Sequence, residues 1–174
     1  MHILALDLGA IVGVCHGDAG ERPTFSSWTL GSGPAGERGM SLARCIASHI
    51  GFKRPDVIYV EAPQQLAGML GRGTNMGSLT ALYGYDMVAH TTAAMKGIPS
   101  KSLDTQQCRK HLLGVRPPKG KGKEMVNDRC KLLGWSPANL DESDAGAVWY
   151  LATALEAPNA WMQAAQDHAA RMSK

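Results

Sequence analysis

The chain has 174 residues, 44% of them hydrophobic and 19% charged, a size at which one ordinary domain buries a sufficient core and a two-domain enzyme has no room. Eighteen Lys and Arg against fifteen Asp and Glu leave a formal charge of +3, too small to name a nucleic-acid partner by itself. Its distribution says more. From Lys101 to Lys131 nine residues are basic and only Asp104, Glu124 and Asp128 are acidic, so the remainder of the chain is slightly acidic.

Residues 2 to 8 form a short apolar run relieved by Gly9 and Ala10, residues 11 to 17 a second run closed by Asp18-Ala19-Gly20, and residues 24 to 30 a third. Tight turns between them predict an antiparallel meander. After a Gly/Ser/Pro loop at 31 to 36, residues 40 to 53 place Leu42, Cys45, Ile46 and Ile50 at helical spacing. Asp56 to Glu61 is apolar on both faces, the pattern of a central strand covered on both sides. Residues 62 to 74, with Arg72 as their one charge, predict a loop at a strand's C-terminal end. A long helix over 76 to 96, a strand over 98 to 103 and a short helix over 104 to 113 follow. A basic Gly/Pro loop spans 114 to 122, helices span 123 to 133 and 140 to 156, and a helical tail runs from about 158 to 174. The expected fold class is α/β: a single domain with a mixed five-stranded sheet, three antiparallel strands then two parallel, and helices on both faces.

Acids fall where strands stop. Asp7 ends the run Ile3 to Leu6, and Glu61 ends Val57 to Val60, so the two belong at the ends of neighbouring central strands. Each alone reads equally well as a turn former or a solvated terminus. The third acidic site is Asp141-Glu142-Ser143-Asp144, heading an apolar helix in which Asp144, Val148, Leu151 and Leu155 share one stripe. A carboxylate at the head of a buried stripe is costly unless a cation compensates it. Asp141 is also well placed as a helix N-cap, with Asp144 completing a variant capping box, and Glu142 is expected to point outward. Carboxylates converging with no His or Cys beside them make a hard oxygen site, suited to Mg²⁺ or Mn²⁺. Two such ions about 4 Å apart serve phosphodiester hydrolysis.

The order of these motifs is recognisable. Asp7-Leu8-Gly9 followed by Gly13, Val57-Ile-Tyr-Val-Glu61 after a helix, and Asp141-x-x-Asp144-Ala145 leading a C-terminal helix resemble the RuvC family of Holliday-junction resolvases, in the RNase H-like superfamily. The resemblance runs from residue 3 to about 156. It implies that Asp7, Glu61, Asp141 and Asp144 are the metal-site and catalytic positions. It also implies a Mg²⁺-dependent homodimer that cuts a four-way DNA junction symmetrically, in recombination and repair. Lys110 and Lys123 match basic positions that approach the DNA phosphates. Arg72, Arg116, Lys119 and Lys121 are further DNA-contact expectations, although lysines on a flexible loop are by default merely solvated. Small residues at Ala81, Gly84 and Ala89 suit close dimer packing or packing on the sheet. The sequence departs from the family after Glu61, where residues 62 to 70 hold no aromatic; Leu66, Met69 or Leu70 is either an apolar wedge or a core cap.

Three other readings compete. An RNA·DNA hybrid nuclease of the same superfamily carries an acid inside the first helix, and residues 40 to 53 contain none. An ATPase opening with Asp-x-Gly needs a second domain. A branched-DNA-binding protein without turnover would gain from losing the acids. Cys15, Cys45, Cys108 and Cys130 form no C-x-x-C pair, so reduced thiols in a cytoplasmic setting, prokaryotic or viral, are expected. The N-terminus, with an early acid and no basic lead, does not read as a signal peptide, and the longest uncharged apolar stretch, 145 to 155, is too short to span a bilayer. The six histidines form no ligand pattern in sequence; His111, beside the basic cluster, is the one singled out. Trp135, Trp149 and Trp161 read as core or interface residues.

Overall fold

A strand whose side chains are apolar on both faces must have a cover on each, and β1 (His2–Asp7) divides its residues accordingly. In the computed structural model, which describes residues 1–63 and 76–172, Ile3 and Ala5 enter one core and Leu4 and Leu6 the other, all fully buried. β1 pairs antiparallel with β2 (Ile11–Asp18), which pairs antiparallel with β3 (Thr24–Thr29). On its other side β1 runs parallel to β4 (Val57–Glu61), and β4 to β5 (Ser100–Leu103), giving the order β3-β2-β1-β4-β5. The mixed sheet is the expected one.

Two helices, α1 (Ala35–Phe52) and α2 (Met76–Met95), close the Leu4/Leu6 face. The Ile3/Ala5 face is closed by α3 (Thr105–Leu113), α4 (Gly122–Leu132) and α5 (Leu140–Glu156), with α6 (Pro158–Met172) packed on α5. Local chemistry sets several of these boundaries. Asp104 caps α3 by accepting from the Gln107 N–H at 3.0 Å, and Gly114 closes it in the left-handed region at φ 75°. Pro158, whose ring suits a first helical turn, starts α6.

Some boundaries and burials depart from expectation. α1 begins at Ala35, five residues before the expected start; Gly36 and Gly39 weaken the local helix signal, while Glu37 complements the helix dipole. That start puts an acid inside the first helix. Glu37 is exposed, and α1 packs on the face opposite to that of Asp7 and Glu61, so this acid stands away from them. Leu155 does not continue the buried stripe of α5: it is 57% exposed, and Ala152 is fully buried instead. The four cysteines are free thiols. No helix among the described residues is long and apolar enough to cross a membrane.

Candidate active site

Side-chain alternation decides which acids can meet. Asp7 follows Ile3 and Ala5, and Glu61 follows Val57 and Tyr59, so both carboxylates emerge on the face covered by α5. The parallel register, Leu6 opposite Val60, then sets them side by side. Asp144 descends onto the pair from the second turn of α5. Oxygens of Asp7, Glu61 and Asp144 lie within 4.8 Å of one another, and Asp144 is 1% exposed.

One glycine makes this convergence possible. Gly13 stands opposite Asp7 in the β1–β2 ladder, and the backbone of α5 rests directly on it. A Cβ there would lie 2.0 Å from the Asp141 carbonyl oxygen, 2.3 Å from its carbon and 2.8 Å from the Glu142 nitrogen. Only a residue without a side chain lets the head of α5 reach the sheet at this height.

Buried negative charge demands compensation, and two cations provide it. Arg109, on the same stripe of α3 as Thr105, Cys108 and Leu112, donates from Nε to Asp144 Oδ1 at 3.0 Å and from Nη2 to Oδ2 at 2.7 Å. This fork fixes the plane of the carboxylate. Lys123, at the start of α4, donates to Asp141 Oδ1 at 2.7 Å and stands 3.4 Å from Asp144 Oδ2 and 4.0 Å from Asp7 Oδ2. Thr105 donates its hydroxyl to Glu61 Oε1 at 2.6 Å. Burial, the neighbouring Glu61 and Asp144 charges and Asp141 all push the Asp7 carboxyl well above its ordinary range, against Lys123. Glu61 is raised by burial and by Asp144, and is held down by the Thr105 hydrogen bond, Arg109 and Lys123. Burial alone would lower Arg109 and Lys123, but their acidic partners raise both, and they stay cationic.

Asp141 stands one step outside the converging trio, joined to it through the Lys123 ammonium and about one-third exposed. It is not the helix cap. Asn139 is, two residues earlier than expected, accepting from the Glu142 N–H at 2.9 Å, while the Glu142 carboxylate reaches back one residue further to the Ala138 N–H. Glu142 is corrected too: it is 5% exposed, accepting from the Ser27 hydroxyl at 2.5 Å and the Ala138 N–H at 2.6 Å. It faces inward because the sheet and neighbouring helices surround the first turns of α5 on nearly all sides, and it ties α5 to β3.

Arg109 was missed as a site residue because the basic segment directed attention to Lys110. The readable signal was helical spacing: Arg109 falls on the Thr105–Leu112 stripe, whereas Lys110 is exposed. Arg116, Lys119 and Lys121 are exposed on the loop before α4, with Lys121 3.1 Å from Glu124. Arg72, Leu66, Met69 and Leu70 lie outside the described residues. His111 packs against Tyr150 and Trp161, with ring centroids at 5.3 and 5.2 Å, and burial lowers its pKa. Trp135 meets Trp149 edge to face in the core. The structure does assemble histidines that sequence spacing left scattered: ring nitrogens of His2, His16 and His49 lie within 4.8 Å of one another.

No protein-family profile matches the chain, and no curated protein matches it. Solved structures do. The fold is similar to that of Thermus thermophilus RuvC bound to a Holliday junction substrate, with a TM-score of 0.64 and 17% identity over 85% of this chain and 89% of that one. A second T. thermophilus RuvC structure matches with a TM-score of 0.62 and 16% identity over 89% and 95% of the two chains. The yeast mitochondrial Holliday junction resolvase matches at 0.60 and 14% identity over 95% and 79%. The sheet and its helices thus share the RNase H-like architecture of the resolvases that the motif order resembles.

Proposed function

We propose that this chain is a divalent-metal-dependent endonuclease that cuts branched DNA, with the four-way junction as its substrate. The observation that carries the reading is the convergence of Asp7, Glu61 and Asp144 within 4.8 Å, at the position where two parallel strands end beneath a helix head. Likeness of fold to solved Holliday-junction resolvases supports it.

The donor set fits hard divalent cations: it offers carboxylate oxygens and no nitrogen or sulfur. When bound, a pair of Mg²⁺ or Mn²⁺ ions supplies charge for the phosphoryl oxygens and the acidity that makes water a nucleophile in in-line hydrolysis. Asp7 and Glu61 offer ligand oxygens from the sheet and Asp144 from α5, with Asp141 completing the set at the rim. Asp7, whose carboxyl burial and its acidic neighbours push upward, would have to lose its proton to hold a cation. Arg109 holds the Asp144 carboxylate in one orientation. Lys123 lies beside the acids, where its ammonium also meets a DNA phosphate, and exposed Lys110, Arg116, Lys119 and Lys121 extend the positive path along the backbone. Hydrolysis leaves a 5′-phosphate and a 3′-hydroxyl.

Two symmetric cuts in one junction call for a two-fold assembly, so the active form is a homodimer. Of the small residues on α2, Ala89 is spent in the core, whereas Gly84 is exposed with nothing within 4 Å of a Cβ, leaving that stretch open to a second copy. The test is cleavage of end-labelled four-way junction, three-way branch, linear duplex and RNA·DNA hybrid in Mg²⁺ or EDTA. Wild type should place paired nicks in the four-way junction, lost with EDTA and with Asp144→Asn while binding persists. Cutting of the hybrid alone, or of nothing, would sink the reading.

A further inference from the structure

Strand parity gathers a second group of side chains at the opposite end of β1. His2 shares the Leu4/Leu6 face, and because Leu4 pairs with His16, the two imidazoles are diagonal neighbours on adjacent strands. His49, in the last turn of α1, closes over them. The rings stack edge to face, with centroids 5.5 Å apart for His2 and His16 and 4.6 Å for His16 and His49. A nitrogen from each lies within 4.8 Å of the other two.

These nitrogens lack what buried nitrogens need. Nε2 of His2, Nδ1 of His16 and Nε2 of His49 are buried without a hydrogen-bond partner. The nearest charged group to His2 Nδ1 is the Asp18 carboxylate at 3.3 Å, whose other oxygen lies 3.4 Å from the Lys53 ammonium. Burial lowers the pKa of all three imidazoles, His16 to about 4; Lys53 reinforces this and Asp18 opposes it at His2 and His16. Their lone pairs are therefore available at neutral pH. His90, by contrast, satisfies both ring nitrogens with the Ser100 and Ser102 hydroxyls at 2.8 and 2.9 Å.

We propose that His2, His16 and His49 form a transition-metal site for Zn²⁺ or a similar borderline ion, with Asp18 beside His2 Nδ1 orienting that ring. Three imidazoles suit a tetrahedral ion of that class with its fourth position open, and are a poor set for Mg²⁺. Zn–N bonds of about 2.0–2.1 Å place tetrahedral ligands roughly 3.3 Å apart, so the trio contracts by side-chain rotation from its present spacing. The ion clamps β1, β2 and α1 together. The site is independent of the nuclease reading. It lies on the other face of the sheet, and five residues of strand, about 17 Å, separate His2 from Asp7.

The test uses tag-free full-length protein, stripped with EDTA and then freed of it. Calorimetric titration with ZnCl₂ in excess MgCl₂, which occupies the carboxylate trio, should give one ion per chain and a raised unfolding temperature, and His16→Gln or His49→Gln should weaken binding at least about tenfold. Asp144→Asn should bind zinc as wild type does. Because a histidine variant can lose its fold, the wild type is also followed by NMR of its imidazole protons, where signals of three of the six histidines should shift with one equivalent of Zn²⁺. No stoichiometric binding, binding untouched by both histidine variants when circular dichroism shows them folded, or binding that leaves those signals unmoved would each overturn the site.

Discussion

A single methyl group at Gly13 tests the whole geometry, because it changes no charge and no ligand. In Gly13→Ala the new Cβ would sit 2.0 Å from the Asp141 carbonyl oxygen and 2.3 Å from its carbon. Ordinary contacts are about 3.3 Å for carbon to oxygen and about 3.5 Å for carbon to carbon, so the head of α5 must retreat by roughly 1.2–1.3 Å. Both obstructing atoms are backbone, and no rotamer change relieves them. Overpacking of this kind costs about 1–3 kcal/mol, which for a chain of this length lowers Tm by roughly 2–12 °C. The retreat carries Asp144 away from Asp7 and Glu61, and a misplacement of about 1 Å costs on the order of 100-fold in rate. Single-turnover nicking of an end-labelled four-way junction in Mg²⁺, beside a thermal scan, reads both. A variant that melts like wild type and cuts within about threefold of its rate would show that α5 does not rest on Gly13 as described.

Arg109→Leu should be the more damaging change to stability, since it strands a carboxylate that is 1% exposed; with Lys123 still 3.4 Å away, urea unfolding should lose about 3 kcal/mol, and Arg109→Leu combined with Asp144→Leu should recover most of it. Acid sensitivity should trace to the histidine trio: their lowered pKa values mean that the unfolded chain binds protons first, so the stability they carry is complete above about pH 6.5 and fades as pH falls toward 4. His16→Gln should flatten that limb in urea midpoints taken at pH 7, 5 and 4, and an unaltered slope would refute the assignment. Replacing exposed Lys110 and Lys119 together by Ala should leave Tm unchanged while reducing the log–log salt slope of junction binding by about 0.9 per lost phosphate contact; an unchanged slope would take both off the DNA path.

Much of the fold was legible before any coordinate, because its strands advertise themselves. Ile3 to Leu6 and Val57 to Val60 are apolar at every position, which only a sheet covered on both sides accommodates, and the turns at Gly9-Ala10 and Asp18 to Gly20 dictate the meander. Asp7, Glu61 and Asp144 were legible for the same reason: a charge that ends or heads an apolar run stands out. Tertiary structure decided what local pattern does not encode. Which basic residue guards Asp144 depended on the rotation of α3, which turns Arg109 inward and leaves Lys110 in solvent. Glu142 looked solvated because a helix start normally has an open side, and here β3 closes it with Ser27. The histidine trio joins residues 2, 16 and 49, distant in sequence and brought together only by the register of two strands and the landing of a helix. Apolar runs and turn residues specify elements by local physics; the meeting of side chains from different elements is set by register and helix rotation, which are properties of the assembled core.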